Sequence, residues 1–158
     1  MNKVRSLGAG RAFTYWEPAL RQWNIPMNER EFWDYWFKAE APSDDMIGFA
    51  RMLRARGILT FLLSNNFKKR AEYYGHYPWL RDAITKAYFS WQTGAVKPDR
   101  RAWNIILDEH RLRPGECLYF DDQEKNVQAA SALGIHSFLF TSVDTLKKDV
   151  AAHADAPV

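Results

Sequence analysis

The sequence predicts an α/β protein, a Rossmann-like parallel sheet flanked by helices. Two observations carry this. Four short apolar runs after residue 42 alternate with segments whose apolar residues recur at helical spacing. Such alternation builds parallel strands joined by crossover helices. Polar clusters also follow the runs directly, at the carboxyl ends of strands, where sheets of this kind bind ligands. A length of 158 residues suits one domain with a core that needs no disulfide or structural metal.

Residues 11–42 come before this alternation and contain no strand candidate. Phe13, Trp16, Leu20 and Trp23 fall at spacings of three and four, a helical stripe. Pro18 lies within it, so the helix starts near that residue or bends there. Asn28 and Glu31 have the spacing of a capping box, followed by the stripe Phe32, Trp33, Trp36 and Phe37. The two stripes are expected to pack as a helical hairpin joined by Asn24 to Met27. That packing, rather than ligand stacking, is the expected use of the Trp residues, of which the chain has seven.

In residues 43–150, Ser43 and Asp44 can cap a helix with Met46, Phe49, Ala50 and Leu53, which Gly57 ends. Ile58 to Leu63 reads as a strand buried on both faces, followed at once by Ser64-Asn65-Asn66. Ala87 to Ser90 is a second strand. A helix with Trp103, Ile106, Leu107 and His110 on one face comes next. Cys117 to Phe120 is a third strand, ending in Asp121-Asp122. A helix with Val127, Ala130 and Leu133 is closed by Gly134, and Ile135 to Phe140 is the fourth strand. After Thr145 a short polar, fraying helix is expected, with residues 1–10 and 151–158 as flexible termini.

Lys+Arg number 22 against 19 Asp+Glu, and the densest basic cluster is only Lys68, Lys69 and Arg70. This reads as a solvated face, because a nucleic-acid binder shows a broader stripe. No apolar run approaches the roughly 20 residues of a membrane span, and the N-terminus lacks a secretory apolar segment. With Cys117 the one cysteine, a cytoplasmic protein is expected, with neither nucleic acid nor membrane as partner. His76, His110, His136 and His153 have no metal-ligand spacing. His110 and Cys117 read as packing residues.

Three strand ends or following loops supply Ser64-Asn65, Lys97 and Asp121-Asp122. Each alone has an ordinary explanation as a turn residue, a solvated lysine or a helix start. Together they describe a site for a phosphate and a hard cation. A hydroxyl and a backbone N–H bind phosphoryl oxygens, an ammonium neutralises their charge, and paired carboxylates hold Mg²⁺ beside phosphate oxygens. A receiver domain uses similar groups, but with the acid pair first and the lysine last, the reverse of the order here.

These residues also carry a resemblance. LLSNN (62–66), GAVKPDRRAW (94–103) and LYFDDQEKN (118–126) resemble motifs II, III and IV of the haloacid dehalogenase (HAD) superfamily. The nearest likeness is to the helical-cap sugar-phosphate phosphatases and the phosphatase domain of soluble epoxide hydrolases. The resemblance implies a HAD-like core over 43–150 and a shortened helical cap over 11–42. It implies that Ser64 binds the transferring phosphoryl group, with Asn65 assisting through its backbone or side chain. Lys97 would stabilise the charge on nucleophile and phosphate. Asp121 and Asp122 would hold Mg²⁺, with Asp122 the more direct ligand and Asn126 in support. The substrate would be a small phosphorylated metabolite.

One motif is missing. The family's first motif is an apolar strand ending in Asp-x-Asp, whose first Asp attacks phosphorus while the second acts as acid and base. Here no Asp lies two residues before another, and Asp34, Asp44 and Asp45 are the only aspartates before Ser64. In the family that strand lies between those ending at Ser64 and Asp121. Its neighbours would pair directly, accept residues 1–10, or take an edge from a second chain. The sequence is expected to be N-terminally incomplete: a Mg²⁺-dependent phosphomonoesterase inactive as given. The alternative is a non-catalytic remnant that binds metal, phosphate or protein and self-associates through residues 11–40.

Overall fold

The computed structural model describes residues 12–38 and 43–153. Helix α1 (Ala12–Gln22) carries Pro18 inside it. Helix α2 (Glu29–Lys38) starts at a reciprocal box: Asn28 Oδ1 accepts the Glu31 N–H at 3.0 Å, and the Glu31 carboxylate accepts the Asn28 N–H at 2.8 Å. Leu20, Phe32, Trp33 and Phe37 are buried between the helices, with Phe13 and Trp16 against them. The cluster continues into the core, where Phe67 lies 5.4 Å from Trp33 and Tyr73 lies 4.9 Å from Phe37, ring centre to ring centre. Packing is thus the use of Trp16, Trp33 and Trp36. Trp23 departs from the expected stripe: it falls past the last turn of α1 and is 59% exposed. Residues 1–11, 39–42 and 154–158 lie outside the described residues, and with them the expected filling of the sheet by 1–10.

Helix α3 (Asp44–Ala55) begins with Ser43 Oγ accepting the Met46 N–H. It ends as Gly57, at φ +82°, donates to Arg54 O and Ile58 donates to Leu53 O. Only glycine enters that left-handed region without a Cβ penalty, so Gly57 sets where the chain turns into the sheet. There follow β1 (Phe61–Ser64), α4 (Lys68–Gly75), α5 (Pro78–Asp82), β2 (Lys86–Phe89), α6 (Ser90–Thr93) and α7 (Arg101–His110). After a short turn come β3 (Leu118–Asp121), α8 (Glu124–Ser131), β4 (His136–Leu139) and α9 (Val143–His153).

All strand pairing is parallel. β1 lies beside β2, in register from Phe61–Lys86 to Ser64–Phe89; β3 lies beside β4, from Leu118–His136 to Asp121–Leu139. Among the described residues these are two separate pairs rather than one sheet. Direct pairing of the strands that end at Ser64 and Asp121 is therefore not how their neighbouring edges are used. The first strand also starts three residues later than the apolar run suggests. Ile58 and Leu59 are 37% and 47% exposed, and β1 is half-buried throughout instead of covered on both faces. A strand hydrogen-bonded along one edge has fewer neighbours to cover it.

The main core packs Ala102, Trp103 and Leu107 of α7, Ala130 of α8 and Ile135, with Tyr119 and Leu63 against them. A second core joins Phe49 of α3 to Leu146 and Val150 of α9, with Leu118 and Phe120 against it. α9 is thus an integral core helix that runs on to His153, not a polar fraying tail. Its two anchors at i and i+4 are simply sparse. His110 packs as expected, 4.5 Å from the Phe61 ring, and its Nε2 pairs with the Tyr88 hydroxyl at 2.8 Å. No helix of the described residues is long and apolar enough to cross a membrane.

Candidate functional site

Ser64 ends β1 and Asp121 ends β3, and one lysine shows that these two strand ends lie close together. Lys97, from the loop between α6 and α7, closes the distance between them. Its Nζ donates to Leu63 O at 2.8 Å and to Asp121 Oδ2 at 2.6 Å. Both side chains of that ion pair are deeply buried, 11% and 4% exposed. The ammonium therefore ties together two strand ends that share no backbone bond.

Asn65 holds that lysine in place. Its Nδ2 donates to Lys97 O at 2.9 Å, and its Oδ1 accepts the Lys97 N–H at 2.8 Å. The side-chain amide is thereby spent on the backbone of the lysine loop. Of the two routes the resemblance implies for Asn65, the backbone N–H is the one this arrangement leaves open. Ser64 is half-buried, and its Oγ accepts from Asn66 Nδ2 at 2.9 Å. The hydroxyl proton stays available for a ligand oxygen.

Asp121 is saturated. Its Oδ2 accepts from Lys97 and from the Tyr119 hydroxyl, at 2.6 and 2.5 Å. Its Oδ1 accepts from the Gln123 N–H and Asn126 Nδ2, at 2.9 and 2.8 Å. Four donors fill the sites a carboxylate offers. Burial alone would raise its pKa, but the Lys97, Tyr119, Asn126 and Gln123 donors outweigh that and lower it to about 2. Burial, together with its hydrogen bond to Asp121, pushes the Tyr119 hydroxyl well above its ordinary range.

Asp122 differs from its neighbour. It is exposed and accepts no hydrogen bond among the described residues. Asn126 is 1% exposed, and its Oδ1 is buried without a donor. Mg²⁺ takes hard oxygens, one or two carboxylates plus water and phosphate oxygens. The free Asp122 carboxylate and the orphaned Asn126 amide oxygen fit that ion in kind, while both oxygens of Asp121 are already spent on four donors. Among the described residues no three acidic, His or Cys side chains converge as a complete cage.

Tyr119 and Asn66 were not singled out from the sequence. The signal for Tyr119 was its place two residues before Asp121, on the same face of one strand. Asn66 had no comparable signal beyond its place beside Ser64.

A family model described as haloacid dehalogenase-like hydrolase matches residues 12–134. Mouse acyl-CoA dehydrogenase family member 10 is 30% identical over 106 residues, which are 67% of this chain and 10% of that protein. Flavin mononucleotide hydrolase 1 of Arabidopsis thaliana is 26% identical over 114 residues, 66% of this chain and 46% of that protein. The chain thus spans less than half of either relative. A predicted HAD-like family hydrolase from Porphyromonas gingivalis has the same fold, with a TM-score of 0.72 at 20% identity over 93% of this chain and 75% of its own. A HAD family enzyme from Bacteroides thetaiotaomicron, solved with magnesium and inorganic phosphate, has a TM-score of 0.55 at 23% identity, covering 60% of this chain and 50% of its own.

Proposed function

Because the chain belongs to the haloacid dehalogenase-like hydrolases, we propose that its site is the phosphate- and metal-binding part of a Mg²⁺-dependent phosphomonoesterase. The observation that carries this reading is the convergence of Ser64, Lys97 and Asp121 at one end of two parallel pairs, with Asp122 free beside them. The Ser64 hydroxyl and the Asn65 N–H hold phosphoryl oxygens. Lys97, already charged and buried, meets the negative charge of the ester, where an ammonium in a water-poor site acts strongly. Asp122 holds Mg²⁺, with Asp121 and Asn126 fixing the strand end from which it projects. The ion supplies charge neutralisation for the phosphoryl oxygens. The magnesium and phosphate in the Bacteroides enzyme support this assignment.

The sequence contains no Asp-x-Asp. In this form the chain binds phosphate and Mg²⁺ without turning ester over. The substrate class is a small phosphorylated metabolite, in keeping with a relative named for flavin mononucleotide.

Calorimetric titration with orthophosphate, with and without Mg²⁺, tests the reading on the wild-type chain, Lys97→Ala and Asp122→Asn. Expected are binding that needs Mg²⁺, loss of it in both variants, and no release of phosphate from phenyl phosphate. Phosphate affinity indifferent to Mg²⁺ and to both substitutions would refute it.

A further inference from the structure

We propose that Trp91, with Lys68 beside it, forms the leaving-group side of this site and selects phosphomonoesters whose alcohol carries a planar aromatic ring. The inference rests on the phosphate-site reading above and adds the substrate class.

Trp91 stands in α6, at the carboxyl end of β2, beside the carboxyl end of β1. Its N–H donates to Asn66 O at 3.2 Å, and the Ser90 hydroxyl donates to the same oxygen at 3.2 Å. Asn66 Nδ2 in turn donates to Ser64 Oγ at 2.9 Å. One residue therefore links the backbone of Trp91 to the hydroxyl that holds the phosphoryl group. The backbone from which the indole projects is thus tied to Ser64 through Asn66.

The exposure of the ring is what calls for an explanation. Trp33 and Trp103 are 8% and 3% exposed and sit in cores; Trp91 is 41% exposed, as Trp23 and Trp36 are at 59% and 38%, but unlike those two it stands beside the strand ends of the site. The Lys68 ammonium lies 5.7 Å from the ring centre. Lys68 opens α4, three residues after Asn65, and shares its charge with Glu72 at 3.6 Å. A half-exposed indole with a cation over it has a π-face to offer and a charge that strengthens stacking on electron-rich rings. On this proposal a leaving group held at Ser64 by its phosphate extends past Trp91. An aliphatic alcohol gains little there, whereas a flat ring gains a stacking partner.

The test compares phenyl phosphate with glycerol phosphate in the presence of Mg²⁺, by calorimetry on the wild-type chain, Trp91→Leu and Trp91→Phe. Nitrogen–proton spectra accompany it, with the Trp91 indole resonance assigned by its loss from the variants. Phenyl phosphate is expected to bind about tenfold more tightly than glycerol phosphate, the size of a modest stacking contribution. Trp91→Leu should erase that ratio and Trp91→Phe retain most of it. In the wild type, phenyl phosphate should shift the Trp91 resonance and glycerol phosphate should not.

Equal affinities with an unmoved resonance would overturn the proposal and leave the phosphate reading standing, since both esters would still bind. Failure of both esters and of orthophosphate to bind the wild type would remove that reading, and this proposal with it. The ratio and the resonance are read on the wild-type chain, so a Trp91→Leu variant that failed to fold would not shelter the idea.

Discussion

Replacing Lys97 with Met keeps the length of the side chain and removes its charge. Asp121 then loses its strongest donor while remaining 4% exposed, and Leu63 O loses its ammonium partner. The present depression of Asp121, from 3.8 to about 2, corresponds to about 2 kcal/mol of stability held at neutral pH. Removing one partner of a buried pair costs about 3–5 kcal/mol, because the remaining charge stays buried and uncompensated. We therefore expect Lys97→Met to lose about 3 kcal/mol in urea unfolding at neutral pH, a large share of ordinary domain stability.

The pH dependence gives the sharper signature. In the wild type the Asp121 pKa is depressed on folding. Its contribution is complete above the ordinary carboxylate range and is lost as pH falls toward about 2. In Lys97→Met burial is no longer outweighed by the ammonium, so the pKa of Asp121 rises, and protonation on acidification relieves the buried charge. The gap between variant and wild type should narrow as pH falls through the carboxylate range. Adding Asp121→Asn should restore part of the loss, with a coupling of about 1–3 kcal/mol. A Lys97→Met protein within about 0.5 kcal/mol of wild type, with a constant gap at all pH values, would refute this account of the ion pair.

Three further outcomes are expected. Asn126→Leu removes a buried donor from Asp121 Oδ1 and should cost about 1–3 kcal/mol in thermal or urea unfolding. Leu146→Ala, which empties a position between α9 and α3, should cost about 2–5 kcal/mol by the same measurement; a neutral result would mean that α9 is not part of the core. Gly57→Ala places a Cβ at φ +82° with open space around it, so its cost of about 1–2 kcal/mol should come from the backbone alone, visible in stability without loss of helix content by circular dichroism.

The order of elements could be read from the sequence because each strand is an apolar run and each site residue a polar break at its end or in a loop that follows it. Ser64, Lys97 and Asp121 stand out for that reason. What their side chains do was not legible. Asn65 and Lys97 are 32 residues apart, and nothing in spacing says that an amide will clasp a distant backbone. The separation of Asp121 from Asp122 into a saturated carboxylate and a free one depends on Tyr119, Asn126 and Lys97 arriving from three directions. α4 and α5 also escaped notice, since their aromatic residues form no clean stripe and only Ala71 of α4 is fully buried.

Among the described residues the two parallel pairs have four strand edges where one four-stranded sheet would have two. Each added edge is a row of backbone groups onto which another chain can zip, and natural sheets blunt such edges with lysine. Lys97 sits with its ammonium on the carbonyl of Leu63, near the end of one of them. A cation there must be stripped of its partners before a foreign strand can lie down. Colloidal behaviour and phosphate chemistry thus converge on one side chain: a substitution made to abolish ligand binding also uncovers an adhesive margin, and a Lys97 variant will reveal it as clouding on concentration before any titration is run.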